Sequence, residues 1–302
     1  MTIAVTGASG FIGRNLVAHL SARGDRVVPV PRPFEAGALE RLFRGAAAVV
    51  HLAGLVAAAD ERDFVAANVD ATRVVAHAAR TAQVRLVHVS SLAAAGPAPP
   101  TAPRSEDDPP RPITAYGRSK LAGEGVLLDA DGLQWIALRP GVVYGPGDRA
   151  MLPLFRMATR GMLPLVGRAG AAYTVIHVAD MVRAIAAAID AGVSGEAIFV
   201  GHATPATPSA IVDGIRAAVA PRARVVRVPM PLTRLAAVAG ELVQRVGGRP
   251  TLISESRYRE LEAEGFVCCV DRLRERLGIV AEIGLHDGLE RTGAWYRQQG
   301  WI

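Results

Sequence analysis

Lysine, cysteine and long apolar runs are scarce in this chain of 302 residues. The two cysteines, Cys268 and Cys269, are neighbours in sequence and therefore poorly placed to form a structural disulfide. The longest apolar run, residues 45–59, is too short to cross a bilayer, and His51 interrupts it. No basic and apolar leader precedes the first strand pattern. We therefore expect a cytoplasmic protein without a membrane span.

The positive charge of the chain is carried almost entirely by arginine, because Lys120 is the only lysine among 34 lysine and arginine residues. The arginines are scattered, without a dense basic block or interleaved aromatic residues, so the net charge of +6 does not predict nucleic-acid binding. A lysine ammonium is a compact point donor, whereas a guanidinium is a wide planar fork. We infer that Lys120 occupies a place where arginine cannot serve.

The first half of the chain alternates short apolar strands with helices. The predicted strands are residues 2–5, 26–30, 46–52, 84–89 and 135–138. The first predicted helix follows the glycine segment 7–13 and runs to about residue 22, and the later predicted helices are 38–43, 61–81 and 114–130. Such alternation is typical of a parallel, doubly wound sheet. The sequence therefore predicts an α/β fold of the Rossmann type.

Beyond residue 150 the pattern loosens into helices and a few short strands. The predicted helices are 151–160, 179–190, 209–219, 232–246, 257–264 and 271–277, and the predicted strands are 197–200 and 224–228. We expect residues 1–150 to form a dinucleotide-binding core and residues 151–302 mostly a smaller substrate-binding lobe, with segments of about 170–202 returning to complete the core. The amphipathic segment 232–246 is interpreted as packing within this lobe rather than contacting a membrane.

Three glycines mark the turn between the first predicted strand and the first predicted helix. Gly7, Gly10 and Gly13 have GxxGxxG spacing. Glycine lets the backbone approach a pyrophosphate, and the helix N-terminus adds free N–H donors and a partial positive charge. A glycine turn between a strand and a helix therefore predicts a dinucleotide-binding loop.

The end of the second strand of such a fold is where the adenosine ribose is recognised. An acidic residue there accepts a hydrogen bond from the 2′-hydroxyl, whereas an arginine favours a 2′-phosphate. No acidic residue ends the predicted strand 26–30, and Arg32 follows it closely. The sequence therefore predicts NADP as the cofactor in preference to NAD.

A second group of candidate residues combines hydroxyls with the single lysine. Tyr116 and Lys120 are four residues apart in a predicted helix, so they project from one face. A phenol with a pKa of about 10 is a poor acid–base catalyst at neutral pH, and a neighbouring ammonium lowers that pKa. Ser90 and Ser91 directly follow a predicted strand, at the edge of the sheet that faces the ligand crevice. One of these two hydroxyls is expected to bind a substrate oxygen.

Several short motifs along the chain are typical of one family. They are TGASGFIG at 6–13, HLAG at 51–54, NVDAT at 68–72, SSLAAAG at 90–96, YGRSK at 116–120, RPGVVYGPGD at 139–148 and the ending WYRQQGW at 295–301. With these motifs the chain resembles the extended short-chain dehydrogenase/reductases, the group of NAD-dependent epimerases/dehydratases and 3β-hydroxysteroid dehydrogenases. The resemblance covers essentially the whole chain.

The resemblance implies a role for each candidate residue. Tyr116 would be the proton donor or acceptor, and Lys120 would hold the nicotinamide ribose while lowering the pKa of Tyr116. Ser91 rather than Ser90 would bind the substrate oxygen, because the family places this hydroxyl five residues before the glycine that is Gly96 here. The expected cofactor contacts are Gly7, Ser9, Gly10, Phe11, Ile12, Gly13, Arg32, Leu52, Ala53, Gly54, Tyr116, Lys120, Pro140, Val142 and Val143. Relatives also imply a homodimer through helices 61–81 and 114–130.

The chain departs from the family where nucleotide sugars bind. Such members usually carry asparagine at the position of Val142 and an Arg-Asp pair at the position of Tyr173 and Thr174, and sugar dehydratases carry an Asp-Glu pair at residues 92–93. We therefore expect an NAD(P)-dependent oxidoreductase, similar to 3β-hydroxysteroid dehydrogenases or ketoreductases, without a metal site. Its small-molecule substrate would be a mostly apolar, non-nucleotide carbonyl compound or secondary alcohol. Two alternatives remain open, a nucleotide-sugar epimerase that retains its cofactor and a non-catalytic NADP-binding regulator.

Overall fold

A computed structural model of the chain describes residues 1–58, 60–247 and 255–302. The strands are β1 (Thr2–Thr6), β2 (Arg26–Val30), β3 (Ala48–His51), β4 (Arg85–Val89), β5 (Trp135–Pro140), β6 (Val142–Tyr144), β7 (Met162–Leu165), β8 (Ala172–Tyr173), β9 (Val175–His177), β10 (Glu196–Val200), β11 (Arg224–Arg227) and β12 (Gly265–Phe266). The helices are α1 (Phe11–Ala22), α2 (Ala36–Phe43), α3 (Glu61–Val65), α4 (Ala71–Thr81), α5 (Leu92–Ala95), α6 (Ala115–Leu128), α7 (Leu152–Thr159), α8 (Val178–Asp190), α9 (Pro208–Val219), α10 (Met230–Gly247), α11 (Glu255–Glu262), α12 (Asp271–Leu277) and α13 (Leu285–Gln298).

Six strands form one parallel sheet in the spatial order β2-β1-β3-β4-β5-β10. Its four inner strands are almost wholly buried. Continuous burial of this kind is what parallel strands need when helices cover both faces of the sheet. The predicted α/β fold with a doubly wound, Rossmann-type sheet is confirmed.

The chain changes direction across the sheet between β2 and β3. Strand β2 forms one edge beside β1, and α2 carries the chain back to β3 on the other side of β1. The segments that leave the carboxyl ends of β1 and β3 therefore diverge, and open α/β sheets bind their ligands in the crevice at such a switch point. The glycine loop, which follows the carboxyl end of β1, lies at this crevice.

Helices pack on both faces of the sheet. On one face, Leu16 of α1 and Ile185 of α8 belong to the same buried cluster. On the other face, Phe43 of α2, Val75 of α4 and Leu127 of α6 form a second cluster. Helix α8 and strand β10 both lie in the segment that is expected to return to the core.

The C-terminal lobe has an apolar cluster of its own, built by α7, α9 and α13. Phe155, Ile215 and Leu289 are each fully buried in it. The sequence pattern does not predict α13, whose glycines weaken a helix signal. Gly288 has a packing role, because a Cβ there would stand 2.2 Å from the hydroxyl oxygen of Tyr144.

Helix α10 differs from its expected packing within the lobe. Among residues 230–240 only Thr233 and Ala237 are buried, whereas Leu232, Leu235 and Val238 are 57%, 67% and 57% exposed. The amphipathic pattern therefore predicts the helix correctly, but the helix face that carries Leu232, Leu235 and Val238 does not pack on the lobe. No helix in the described ranges has the length and apolarity to cross a membrane.

Candidate active site

The glycine loop lies at the switch point, where its glycines let backbone segments pack closely. Gly7 has a φ of +70°, in the left-handed region, and a Cβ there would stand 2.8 Å from the amide nitrogen of Ala53. A Cβ on Gly13 would stand 2.1 Å from the carbonyl oxygen of Gly7. Gly10 is the N-cap of α1 and has no side chain to cover its first-turn amides. These amides and the helix dipole suit an anionic group such as a pyrophosphate.

Ser91, Tyr116 and Lys120 come together at the carboxyl end of β4. Ser91 caps the N-terminus of α5, where its Oγ accepts from the Ala93 amide at 3.2 Å, and its hydroxyl is close enough to the Tyr116 phenol to influence the pKa of that phenol. Lys120, one turn along α6, is only 5% exposed, and its Nζ donates to the carbonyl oxygen of Val89 at 2.7 Å. The same Nζ would be 4.0 Å from a Cβ on Gly54. The three candidate residues therefore share one site with the loop that follows β3.

The neighbouring Ser90 is engaged in the core. It is buried, and its hydroxyl donates to the carboxylate of Glu124. That carboxylate also forms a buried ion pair with Arg139, with 2.6 Å between Oε2 and Nη2. Of the two serines after β4, it is thus Ser91 that lies beside the phenol of Tyr116.

The segments expected to contact a cofactor all lie at the carboxyl ends of sheet strands. They occupy the turn after β1 (Gly7, Ser9, Gly10), the first turn of α1 (Phe11, Ile12, Gly13), the end of β2 (Arg32), the loop after β3 (Leu52, Ala53, Gly54) and the end of β5 with β6 (Pro140, Val142, Val143). Arg32 is exposed, and its guanidinium carbon lies 5.6 Å from the ring centroid of Phe34. Because β2 is an edge strand, this end of the crevice is open.

The sequence of the chain matches a known family over about two thirds of its length. Residues 3–201 match the NAD dependent epimerase/dehydratase family. This protein belongs to that family. The resemblance to extended short-chain dehydrogenase/reductases that the motifs indicate is confirmed.

Individual relatives include two reductases, and a solved structure with UDP-glucuronic acid and NAD bound has a similar fold. The chain is 31% identical to the ceramide reductase of Caulobacter vibrioides, with 99% of this chain and 96% of the relative covered. It is 29% identical to the 4-hydroxy-2-methyl-3-oxo-4-farnesyl-3,4-dihydroquinoline-1-oxide ketoreductase of Stigmatella aurantiaca, with 95% and 94% covered. Its fold is similar to that of MoeE5 in complex with UDP-glucuronic acid and NAD, with a TM-score of 0.80, 25% identity, and 99% and 100% of the two chains covered.

Burial shifts the pKa values of both Tyr116 and Lys120. Burial raises the pKa of Tyr116, the Ser91 hydrogen bond opposes this shift, and the charge of Glu260 adds to it. Burial also lowers the pKa of Lys120 to about 8. The phenol is therefore shifted in the direction opposite to the one expected, because desolvation disfavours the phenolate and the ammonium donates to Val89 instead.

A π-helical turn, Ala66–Asp70, interrupts the helix expected at 61–81 and places Asn68 in the framework of the site. The Oδ1 atom of Asn68 accepts from the Leu55 amide at 2.8 Å, and its Nδ2 donates to the Leu55 carbonyl at 3.0 Å and to Ser119 Oγ at 2.9 Å. Ser119 in turn donates to the carbonyl oxygen of Tyr116 at 2.8 Å. Asn68 thereby fastens the loop after β3 to the helix that carries Tyr116. The NVDAT motif contains Asn68, but spacing alone assigns it no role.

Two charged residues of α11 approach the site from the lobe. Arg257 Nη1 donates to Glu260 Oε2 at 3.1 Å, and both charges influence the pKa of Tyr116. Burial raises the pKa of Glu260. Burial, together with the charge of Glu260, also raises the pKa of Tyr173 to about 12, and the hydroxyl of Tyr173 is buried without a partner among the described residues. The sequence analysis does not predict that Arg257 and Glu260 lie near Tyr116, because a charged helix in the lobe is typical of a solvent-exposed surface.

Proposed function

We propose that this protein is a reductase or dehydrogenase that transfers a hydride between NADP and a carbonyl or secondary alcohol of a mostly apolar, non-nucleotide substrate. The observation that carries the proposal is that the Ser91 hydroxyl lies beside the Tyr116 phenol, with Lys120 one turn away on α6. Two adjacent hydroxyls can bind one substrate oxygen and exchange a proton with it. The intact group of three favours an enzyme over a non-catalytic NADP-binding regulator.

The proton chemistry of the site suits reduction. Because burial raises the pKa of Tyr116, its phenol keeps the proton at neutral pH and can donate it to a substrate oxygen. The Ser91 hydroxyl would bind the same oxygen and hold it near the phenol. A bound nicotinamide would supply the hydride that the substrate carbon receives. Lys120 has donors beyond the one that Val89 accepts, and these would hold the ribose.

The cofactor preference rests on Arg32 at the end of the edge strand. NADPH should bind more tightly than NADH, because a guanidinium forms charge-assisted hydrogen bonds with a 2′-phosphate that are each worth about 1.5–3 kcal/mol. Arg32→Asp should reverse the order of the two affinities. Fluorescence titration with both cofactors measures this, and Arg222→Asp, an exposed arginine of the lobe, is the control. Equal affinities in the unmodified protein would contradict the assignment of Arg32.

The substrate side of the crevice offers few donors for a diphosphate. Val142 is 42% exposed where nucleotide-sugar members usually carry asparagine, and Tyr173 stands where they carry arginine. The nearby Arg168 is exposed and lies 3.5 Å from Glu264 in an ion pair. The names of two relatives, a ceramide reductase and a farnesyl-dihydroquinoline-oxide ketoreductase, describe reductions of compounds with long apolar parts. Both observations support an apolar substrate.

A nucleotide-sugar epimerase that retains its cofactor is the second candidate. The similarity to MoeE5 in complex with UDP-glucuronic acid and NAD favours it. In such an enzyme the Arg168 guanidinium would have to leave Glu264 to bind the diphosphate. The two candidates differ in the fate of the cofactor, because a reductase consumes NADPH in every turnover.

A direct test has two arms. In the first, the protein receives NADPH with a long-chain or steroidal ketone, and in the second it receives NADPH with UDP-glucose or UDP-glucuronic acid. We expect ketone-dependent oxidation of NADPH that Tyr116→Phe removes while NADPH affinity stays nearly unchanged, since the change deletes a proton donor and little volume. Chromatography of the sugar nucleotides should show no epimer. Rapid epimerisation without net consumption of cofactor would establish the second candidate instead.

A further inference from the structure

The lobe carries an exposed surface with two chemical characters, which we call the α10 surface. Its apolar part is Val226 of β11 with Leu232, Leu235 and Val238 of α10, which are 44%, 57%, 67% and 57% exposed. The three α10 residues recur every third position, so they lie along one side of the helix. The buried Thr233 lies on the opposite side, against the lobe. An apolar helix face of this kind has no cover among the residues that the structure describes.

The charged part of the α10 surface is entirely positive. It consists of Arg222, Arg224, Arg227 and Arg234, all of which are exposed. No acidic residue occurs in the sequence between Asp213 and Glu241. Arginine side chains around exposed leucine and valine match the chemistry of an anionic lipid surface, where apolar groups enter the acyl boundary and guanidinium groups meet phosphates.

Acidic groups of the neighbouring helix lie beside one of these arginines, Arg234. Glu255 and Glu262 of α11 face α10 across a cavity of about 340 Å³. Glu255 is ion-paired with Arg259 at 2.7 Å, and Glu262 accepts a hydrogen bond from the hydroxyl of Tyr258 at 3.1 Å. Glu255 is thus paired within α11, and Arg222, Arg224 and Arg227 do not line this cavity.

The α10 surface is one helix away from the active site. Helix α10 packs against α11, and Ala237 and Val238 line the cavity between them. Helix α11 also carries Arg257 and Glu260, whose charges influence the pKa of Tyr116. A partner that covers α10 would therefore lie close to the entrance of the crevice.

We propose that the α10 surface docks this protein on the surface of an anionic lipid bilayer. Leu232, Leu235 and Val238 would enter the acyl boundary, and the arginines would bind lipid phosphates. The inference goes beyond the reductase function and does not depend on it, because docking needs no substrate. It would bring the crevice to the membrane surface, where compounds with long apolar parts accumulate.

Flotation of the full-length protein with lipid vesicles tests the proposal without any substrate. Vesicles of mixed phosphatidylglycerol and phosphatidylcholine should carry the protein upward, vesicles of pure phosphatidylcholine should carry much less, and added salt should weaken the effect. Leu235→Asp and Val238→Asp should each lower the bound fraction on the order of tenfold, because a carboxylate must leave water to enter the lipid. Val280→Asp, which changes a residue that is 52% exposed elsewhere, should bind as the unmodified protein does.

Two further measurements distinguish lipid docking from misfolding and from self-association. Unchanged NADPH affinity shows that the α10 variants are folded, and reduction of a short, water-soluble ketone reports on the enzymatic proposal independently. Failure to float with either vesicle overturns the docking proposal, as does an equal loss in Val280→Asp. A concentration-dependent mass that Leu235→Asp abolishes would overturn it as well, because a second copy of the chain would then cover α10.

Discussion

Two adjacent serines after β4 have different partners, and their replacement should have different consequences. Ser91→Ala removes the hydroxyl beside the phenol, so we expect kcat to fall about 10- to 100-fold with a nearly unchanged free energy of unfolding. Ser90→Ala removes a buried donor to Glu124, so it should lower the free energy of unfolding by about 1–3 kcal/mol and keep turnover. Steady-state kinetics and urea unfolding of both variants measure this. The opposite pattern would place the substrate oxygen at Ser90.

Lys120→Arg should lower kcat about 100-fold or more, although the positive charge is kept. The ammonium is buried between the Val89 carbonyl and the backbone at Gly54, and the larger guanidinium cannot take this place without displacing one of them. Arg118→Lys is the matched control, because Arg118 lies on the same helix in an exposed ion pair with Glu61. Near-normal turnover in Lys120→Arg would show that the chemistry lies elsewhere.

The pH profile gives a second measure of Lys120. Its pKa is lowered to about 8, so the ammonium loses its proton as the pH rises through that value. If this charge holds the cofactor ribose, kcat/KM should fall above about pH 8. A profile that remains flat through this range would contradict the role of Lys120.

At the scale of elements, the π-helical turn between α3 and α4 connects two parts of the site. Asn68→Ala would remove both hydrogen bonds to Leu55 and the one to Ser119, so we expect the free energy of unfolding to fall by about 1–3 kcal/mol and kcat to fall with it. Asn15→Ala is a suitable control, because Asn15 is an amide that donates to the carbonyl oxygens of Phe11 and Pro146 rather than to the segments around Leu55 and Ser119. Denaturant unfolding and kinetics of both variants measure the difference. Equal effects would make Asn68 an ordinary buried amide.

At the scale of the whole molecule, the outer face of α4 and α6 is where a homodimer is expected. These helices pack side by side, and Leu128 at the end of α6 is 66% exposed. Light scattering should give about twice the monomer mass, and Leu128→Asp should give the monomer mass, because a carboxylate would be buried in the interface. Val280→Asp, on another surface, should stay dimeric. A monomer mass for the unmodified chain would refute the dimer.

The sheet with its helices and the positions of the candidate residues could be predicted because their signals are local. Each signal is contained within one helix or strand or the turn beside it. The signals are the glycine turn between a strand and a helix, the apolar periods of two and 3.6 residues, and the four-residue spacing between Tyr116 and Lys120. The parallel arrangement of the sheet strands follows from the same alternation, since parallel strands need helical crossovers. The sequence by itself thus determined the fold class, the glycine turn after β1 and the helix that carries Tyr116.

Only the tertiary structure decided how those residues are partnered. Glu124 binds Ser90 from another element, Asn68 joins two segments far apart in the chain, and α11 brings Glu260 near Tyr116. Burial reversed the expected shift in the pKa of Tyr116. The sequence pattern does not predict this shift, because it does not indicate the solvent exposure of the phenol. The sequence pattern predicts the apolar face of α10. Whether that face is exposed depends on which other elements of the lobe pack against the helix. Each of these outcomes depends on contacts between distant residues, which local periodicity does not encode.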